Sequence, residues 1–354
     1  MFRHIFRRLI QAIPTLLGVT LLSYLIMAAA PGGPGTLMNF SETPGKNNQG
    51  QVAKNIERLG LNNPWPVQYL VWLTGNDWMH AAGLKNLDFD KDGTPDRTSL
   101  RYGILRFDFG RSFKYKRDVS DLIGERITAT LELGIASLVV SISIGVPIGI
   151  LAAIWRGGRF DNFTRIMAVL GSAIPTFWFG LLLLSFFGLT MGIAWARGGR
   201  CDLNESAKNR GCPPIYMRLE YLVMPTIVLS SGGIAGYSRY MRTAMLDTIN
   251  SDYIRTARAK GLTPRGVWFT HAARNAMIPL ATFLGPALVG VLGGAPISEQ
   301  IFSWPGLGKF LVDAVSGRDY PVVMASVLIG AVLTVLAFII SDIAYAVVDP
   351  RIRF

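Results

Sequence analysis

The chain has 354 residues, half of them hydrophobic and only 16% charged, and its net charge is +12. Soluble globular domains carry about 25% charged residues, so this deficit indicates a protein that exposes much of its surface to lipid. The basic residues cluster beside apolar stretches, which favours membrane topology over nucleic-acid binding as the origin of the positive charge.

Six apolar stretches are candidates to cross a bilayer, a task that takes about 20 mainly apolar residues. In chain order they are Leu9–Ala30, Leu131–Trp155, Ile166–Ala194, Leu222–Gly236, Ala276–Ile297 and Val322–Val348. The third is longer than needed, which predicts tilt or an interfacial end, and the fourth is short. The sequence therefore predicts an all-α polytopic membrane protein with six transmembrane helices.

The first stretch also has features of a secretory signal. It follows Arg7 and Arg8 and ends in the small residues 28–30. The apolar run is longer than the roughly 7–15 residues of a signal core, and Pro31 directly after the small residues makes a poor cleavage site. We therefore predict a retained span.

Residues 31–130 are too many for a simple connection and predict an extracytoplasmic domain between the first two helices. Within it, Val52–Leu61 and Pro64–Leu73 predict short helices, the second with Tyr69 and Trp72 near helical spacing. This aromatic helix either lies at the membrane interface or packs inside the domain.

An acidic stretch of the same domain matches the first half of a calcium loop. Asp88, Asp90 and Asp92 alternate before a glycine, and Asp96 follows at the spacing of a further ligand. Ser99 stands where the bidentate Glu would be expected. The stretch is interpreted either as a structural calcium site or as an acidic turn.

The two cysteines, Cys201 and Cys212, lie in the loop between the third and fourth spans. On the extracytoplasmic side an oxidising environment would let them pair, and closure would order a polar loop. We predict a disulfide, the alternative being two free thiols.

The charge distribution predicts that both termini are cytoplasmic. The inner segments 1–8, 156–165, 237–275 and 349–354 would together hold 15 basic and 4 acidic residues. Lys and Arg concentrate in the short loops on the cytoplasmic side of membrane proteins. The five basic residues of 195–221 argue mildly against this orientation.

The sequence lacks the motifs of several enzyme classes. It contains no G-x-x-x-x-G-K-[ST] phosphate loop and no G-x-S-x-G, and His4, His80 and His271 are scattered. We therefore predict no catalytic residue. Within the predicted spans only Glu132 and Asp342 are ionisable, and they form no chain of acids, which disfavours a proton-driven carrier.

The predicted inner loop 241–275, here called the coupling loop, is strongly basic. Helical spacing places four of its apolar or small residues on one stripe: Tyr253, Ile254, Ala257 and Gly261. Gly261 and Pro264 then indicate the end of one helix and the start of a second, Pro264–Arg274. Such a segment either docks into a groove on a soluble partner or rests on anionic lipid.

The coupling loop resembles the coupling helix in permease subunits of ATP-binding-cassette (ABC) importers, in the form found in the peptide and nickel branch. The matching residues are Tyr253, Ala257-Arg258-Ala259-Lys260-Gly261-Leu262, His271, Arg274-Asn275-Ala276 and Pro279. In the wider group Glu-Ala-Ala is usual where Arg255-Thr256-Ala257 stands here. Further matches are Leu59-Gly60-Leu61, Phe109-Gly110-Arg111-Ser112, Phe302 to Gly308, Arg318 to Pro321 and Asp349 to Ile352.

This resemblance implies a tail and first helix over residues 1–30, an extracytoplasmic domain over 31–130 and an ABC permease core over 131–354. It implies a prokaryotic inner-membrane subunit that pairs with a second homologous permease, two ATPase subunits and an extracytoplasmic substrate-binding protein. The partners would bind and hydrolyse ATP, so this chain would be no enzyme and would need no intrinsic cofactor beyond a possible calcium ion. The implied cargo is di- and oligopeptides.

The resemblance also implies two sets of site residues. ATPase coupling would rest on Tyr253, Ala257, Arg258, Ala259, Lys260, Gly261 and Leu262. An outer gate or a contact with the binding protein would involve Trp304, Pro305, Gly306 and Gly308. The alternatives are the same machinery importing nickel complexes, glutathione or oligosaccharides, a stand-alone channel or secondary transporter, and a membrane scaffold without transport.

Overall fold

The structure is a computed structural model that describes residues 2–29, 63–82, 101–201 and 212–348. Within these ranges it is helical, and its one β-type pairing is an isolated bridge between Arg111 and Asp118. The α-helices of the described ranges are α1 (Phe2–Ala29), α2 (Trp65–Thr74), α3 (Asp77–Ala81), α4 (Val119–Ile154), α5 (Arg159–Ala173), α6 (Thr176–Leu183), α7 (Leu219–Ile249), α8 (Asp252–Ala259), α9 (Ala273–Ala276), α10 (Leu284–Gly293), α11 (Pro296–Ile301), α12 (Leu307–Ser316) and α13 (Tyr320–Val348). Short 3₁₀ and π segments connect several of them.

The chain divides into two compact units. The core unit comprises Met1–Arg8, Ile127–Lys309 and Leu333–Phe354, and the N-terminal unit comprises Leu9–Arg126 and Phe310–Val332. This division follows contacts rather than chain order. The domain boundaries predicted at residues 30 and 130 therefore stay predictions.

Four helices in the described ranges are long and apolar enough to cross a membrane, namely α1, α4, α7 and α13. A fifth candidate combines α5 with the segment Thr176–Thr190, and it is bent by 97°. The bend has a local cause, because Pro175 cannot continue a helical hydrogen-bond ladder and forces Ile174 into an extended conformation (φ −73°, ψ 122°). The predicted third span is thus interrupted here, and the bent pair is either a broken span or a re-entrant loop.

The predicted fifth span, Ala276–Ile297, is divided into short segments. A 3₁₀ segment, Ile278–Phe283, precedes α10, and Gly294 ends α10 with a φ of 76°. Pro296 then starts α11. Since no segment here reaches the length of a span, the described ranges contain four or five candidate spans, and the six-span arrangement stays a prediction.

Two other helices extend beyond the predicted spans. The second span was expected to begin at Leu131, but α4 begins at Val119. The fourth was expected to end at Gly236, but α7 continues to Ile249. Both extensions contain charged residues, so an apolar window detects only the part of each helix that lipid could accept.

In the N-terminal unit, α2 packs on α1. The hydroxyl groups of Tyr69 and Thr20 lie 3.0 Å apart, and the Tyr24 hydroxyl donates a 2.7 Å hydrogen bond to Oε1 of Gln68. The rings of Tyr24 and Tyr69 meet edge to face at 5.6 Å. Of the two interpretations of the aromatic helix, packing within the domain is the one that these contacts support.

Two segments of the N-terminal unit that lie far apart in the chain meet at a buried acid. Asp319 accepts hydrogen bonds from the backbone N–H groups of Phe113 (3.0 Å) and Lys114 (3.2 Å) and from the hydroxyl of Ser112. Its side chain is almost fully buried. The sequence matches around residues 109–112 and 318–321 therefore form one structural joint.

Candidate functional site

The first helix of the coupling loop, α8, lies with one face buried in the core unit. Ile254 and Ala257 are buried in a cluster with Met241 and Met245 of α7. Tyr253 is 46% exposed because it lies at the edge of the buried stripe rather than within it. The stripe predicted from spacing is therefore narrower than expected, and Tyr253 belongs to the exposed face.

The exposed face of α8 and its end carries cationic and apolar side chains together. Six of the seven predicted coupling residues are exposed: Tyr253, Arg258, Ala259, Lys260, Gly261 and Leu262. Ala257 is the exception, since it is buried against the rest of the core unit. A partner would therefore contact a basic surface that includes some apolar side chains. Ala257 would not contact the partner directly but packs underneath this surface.

Gly261 ends α8 in a Schellman motif. The Leu262 N–H donates to the Ala257 carbonyl (3.4 Å) and the Gly261 N–H donates to the Arg258 carbonyl (3.0 Å). Gly261 has a φ of +75°, a left-handed conformation that favours glycine. Apart from Gly261 and its two chain neighbours, no described residue has an atom within 4 Å of the position that a Cβ would take. Within this chain, backbone conformation rather than crowding therefore requires glycine.

The second part of the coupling loop begins at Pro264, as predicted, but it is wound as a π-helix over Gly266–Ala272. Val267 and Ala272 are fully buried in the same cluster as α8, whereas Phe269 is 51% exposed. Single π turns inside helices are often found at functional sites. This turn extends the exposed apolar surface beyond α8.

An ion pair that the sequence did not reveal anchors α7 near the coupling loop. Arg242 binds Asp161 at two points, Nε to Oδ1 at 2.6 Å and Nη2 to Oδ2 at 2.8 Å. Asp161 is buried and also accepts the Gly157 N–H at 2.9 Å. Arg242 is one of the basic residues of the coupling loop. Because its guanidinium is bound to Asp161, it is not available to a partner.

The loop over residues 294–309, here called the Glu299 loop, surrounds a buried carboxylate. Glu299 accepts hydrogen bonds from the Lys309 N–H (2.7 Å), the Ala295 N–H (3.3 Å) and the Thr130 hydroxyl (3.3 Å). Among the described residues no ion pair neutralises it. Burial raises the pKa of Glu299. Nothing in the local sequence pattern distinguishes Glu299 from a solvated acid, so the sequence did not reveal it.

Glycines and a tryptophan hold the Glu299 loop in place. A Cβ on Gly306 would overlap the Glu299 carboxyl group, and one on Gly308 would lie 2.8 Å from the Pro296 nitrogen. The Trp304 indole is fully buried and donates to the Ala129 carbonyl at 2.8 Å.

Of the four residues predicted to form an outer gate or to contact a binding protein, Pro305 alone is exposed. Trp304, Gly306 and Gly308 are buried within the core unit. The buried Trp304 side chain and the lack of a side chain at Gly306 and Gly308 determine the shape of the loop. The gate itself stays a prediction.

Both ionisable residues of the predicted spans have basic partners. Glu132 binds Arg200 (2.6 Å) and Arg218 (2.7 Å), and Asp342 binds Arg8 (3.1 Å). Arg200 and Arg218 belong to the loop 195–221, whose positive charge argued against an outer location. The rule that predicts orientation counts Lys and Arg rather than net charge, so this pairing does not change the count and the orientation stays a prediction.

The structure joins Cys201 and Cys212 by a disulfide, with their Cα atoms 5.7 Å apart. Cys201 directly follows Arg200, and Arg218 donates to the Pro213 carbonyl beside Cys212 at 2.7 Å. The disulfide and the ion pairs of Glu132 therefore stabilise the same loop.

The predicted calcium ligands Asp88, Asp90, Asp92 and Asp96 lie outside the described residues.

Two neighbouring cavities follow α7 in the core unit. The first, about 310 Å³, is lined by Glu299, by Tyr237 and by many small residues. These small residues include Gly134, Ser137, Ser141, Gly233, Gly290 and Gly294. The second, about 500 Å³, shares Gly233, Tyr237 and Ala287 with the first and extends to Arg239 and Thr243. Small side chains leave this space open along the helix.

Long apolar helices with internal ion pairs define a multi-pass membrane protein, and comparison with known proteins gives its family. The sequence model of the family described as "Binding-protein-dependent transport system inner membrane component" matches residues 145–354. The family model of the corresponding N-terminal region matches residues 1–83. The chain belongs to this family of inner membrane components of binding-protein-dependent transport systems. The resemblance inferred from the coupling loop is confirmed.

Named relatives match over the whole chain. It is 40% identical to the oligopeptide transport system permease protein AppB of Bacillus subtilis, over 100% of both chains. It is 34% identical to the dipeptide transport system permease protein DppB of Escherichia coli, over 100% of this chain and 99% of that protein. The di/tripeptide transport system permease protein DppB of Pseudomonas aeruginosa is 36% identical over the same shares.

Proposed function

We propose that this chain is a permease subunit of an ATP-driven importer of di- and oligopeptides. Together with a second homologous permease it forms a translocation pathway that opens alternately to each side of the membrane. The relatives named for peptide transport match the full chain and support the cargo class. The observation that carries the mechanism is the coupling loop, an exposed basic face on a helix that is anchored in the core unit.

The coupling loop is arranged to pass movement of a partner to the long helices. The buried side of α8 packs on Met241 and Met245, near the end of α7. The same cluster contains Val146 and Ile150 of α4. Since close-packed interiors deform little, displacement of α8 by an ATPase would move these helix ends with it.

The two cavities along α7 are our candidate for this subunit's part of the pathway. Their lining is rich in Gly, Ser and Ala, which lets a peptide backbone approach without a fixed preference for one side chain. In the proposed orientation both termini are cytoplasmic, the Glu299 end faces the binding protein, and the Arg239 end faces the ATPases.

The direct test is peptide uptake into proteoliposomes that hold this chain with its second permease and two ATPases, with the binding protein supplied on the entry side. We expect ATP-dependent uptake that falls at least tenfold when Arg258 and Lys260 are both replaced by Glu. The Lys116→Glu variant, an exposed reversal in the N-terminal unit, is the control and should keep its uptake. Uptake by this chain without the ATPases would instead support a channel or secondary transporter.

The cargo is tested in the same vesicles. A labelled tripeptide should be taken up and should compete with unlabelled dipeptides. Uptake of a nickel complex, glutathione or an oligosaccharide, with no uptake of peptide, would replace the peptide assignment by one of the alternatives. The shared ATP-driven machinery would then remain.

The pathway is tested by cysteine substitution. Because both native cysteines form the disulfide, Ser137→Cys or Ser141→Cys would provide the reactive thiol. We expect labelling by a water-soluble maleimide that changes when a non-hydrolysable ATP analogue is bound. Ala337→Cys, a fully buried position away from both cavities, is the control. Equal labelling of pathway and control positions would remove the assignment.

The acidic stretch Asp88, Asp90, Asp92 and Asp96 is proposed as a structural calcium site on its spacing alone. Calcium should raise the melting temperature of the purified protein relative to a chelator, and Asp90→Asn with Asp92→Asn should remove the difference. No effect of calcium would leave the acidic turn as the interpretation.

A further inference from the structure

A cavity of about 240 Å³ lies within the N-terminal unit, away from the residues used in the proposed transport mechanism. Its walls come from the end of α1, from α2, from residues 101–113 and from the start of α13. Six aromatic side chains line it: Tyr24, Trp65, Trp72, Phe109, Phe113 and Tyr320. Both α1 and α13 are candidate spans, so the cavity lies at the ends of two helices that would leave the bilayer there.

Among the residues that the structure describes, two hydrogen-bond donors of this lining have no acceptor. The Trp72 indole N–H is buried without a partner. Arg101 is partly buried, and its guanidinium makes no hydrogen bond or ion pair with any residue that the structure describes. Burial lowers the pKa of Arg101, and the charge of Asp108 opposes that shift. Unpaired buried donors are costly, so these two donors favour a bound group that accepts hydrogen bonds.

The acid in the lining does not supply that acceptor. Oδ2 of Asp108 accepts the Tyr102 N–H at 2.8 Å, and Oδ1 accepts the Gly110 N–H at 2.9 Å. Asp108 therefore shapes the backbone around the cavity and balances charge at a distance. The group that satisfies these donors is an anion or strong acceptor attached to an apolar body, because most of the remaining lining is aromatic or aliphatic and only Asn63, Gln68 and Asn76 add amide groups.

We propose that this cavity binds a membrane phospholipid. Its phosphodiester accepts hydrogen bonds from Arg101 and Trp72, and part of an acyl chain packs against Met27, Val71 and Met324. Guanidinium groups bind phosphate in a charge-assisted geometry, and Trp and Tyr rings concentrate where membrane meets water. The place of the cavity at the ends of α1 and α13 favours a lipid over a soluble anion, since a lipid is present there at high concentration.

Native mass spectrometry of the full chain, purified with its partner subunits in mild detergent, tests this site. We expect one phospholipid that stays bound after delipidation and rebinds from phosphatidylglycerol in a saturable way. Loss of a charge-assisted hydrogen bond corresponds to about tenfold weaker rebinding in Arg101→Gln. Trp72→Phe keeps an aromatic ring at this position and removes the N–H, so rebinding should weaken by several-fold. Arg111→Gln removes an exposed positive charge in the same unit and should leave rebinding unchanged.

Several outcomes would overturn the proposal. Equal rebinding in Arg101→Gln, Trp72→Phe and the wild type would place the lipid elsewhere. A fatty acid or a peptide that displaces the phospholipid at lower concentration would assign the cavity to a carboxylate instead. Should Arg101→Gln fail to assemble, the Trp72→Phe variant, which remains aromatic, decides the question alone. Binding is measured without ATP or transport, so a failure here is distinguishable from a failure of the importer function.

Discussion

The coupling loop and the Glu299 loop are both glycine-containing parts of the core unit, but they require glycine for opposite reasons. Gly261 has open space around it and a left-handed φ of +75°. Gly306 has no room for a Cβ because the Glu299 carboxyl group occupies that position. The first glycine ends a helix that presents an exposed surface, whereas the second allows a loop to close on a buried acid. One loop is thus suited to exchange contacts with a partner, and the other to keep its shape.

The largest effect is expected at Gly261. Gly261→Glu should abolish transport-coupled ATP hydrolysis in the reconstituted complex, because a charged side chain would reverse the local charge of the basic surface. Gly261→Asn is the matched variant, since Asn tolerates a left-handed conformation better than other residues do. Coupling that survives in Asn but not in Glu would assign the role to conformation and charge. Loss in both would indicate close approach of a partner, and normal coupling in Gly261→Glu would contradict the assignment.

A pair of alanine substitutions tests this difference between the two glycines through their effects on stability. Gly306→Ala should lower the stability of the purified protein by about 2–4 kcal/mol, because the methyl group displaces a carboxylate held by three hydrogen bonds. Gly261→Ala should cost only about 1–2 kcal/mol, the strain of a left-handed residue. Melting temperatures in one detergent give the order. A larger loss of stability at Gly261 would show that the loop around Gly306 can accommodate a methyl group.

The disulfide loop adds a covalent case to the comparison. Replacing Cys201 and Cys212 by Ser should destabilise the protein by about 2–3 kcal/mol, the loop-closure contribution for a short loop. The loss should increase when Glu132→Gln is added, because the ion pairs with Arg200 and Arg218 hold the same segment. Thermal unfolding with thiol alkylation checks both points. Two alkylatable thiols in the untreated native protein would contradict the bond.

The smallest effect is expected in the pH dependence of Glu299. Burial raises its pKa above the ordinary value of 4.5, so the fold binds the proton more tightly than the unfolded chain does. This contribution to stability is present below pH 4.5 and is lost as the pH rises through the raised pKa. The melting temperature of the wild type should therefore fall more steeply with rising pH than that of Glu299→Gln. Parallel curves for the two proteins would show that Glu299 does not titrate differently in the fold.

Local pattern predicted much of the helical arrangement. The apolar windows located α1, α4, α7 and α13, although they underestimated α4 and α7 where charged residues continue the helix. They did not show that Pro175 bends the third span or that glycines and prolines divide the fifth. Hydropathy averaged over a window of residues does not reveal a single proline or glycine that interrupts the helix.

The sequence by itself determined that this is an apolar, helical membrane protein, which family it belongs to, and where its basic coupling loop lies. These properties depend on residues that are close in the chain. Only the tertiary structure decided that Arg242 is withdrawn by Asp161, that Trp304 and Glu299 are buried, and that α8 presents Arg258 while it hides Ala257. Each of these depends on contacts across many residues of chain, and burial arises from the partner on the other side of the contact. The spacing along one segment cannot contain that information.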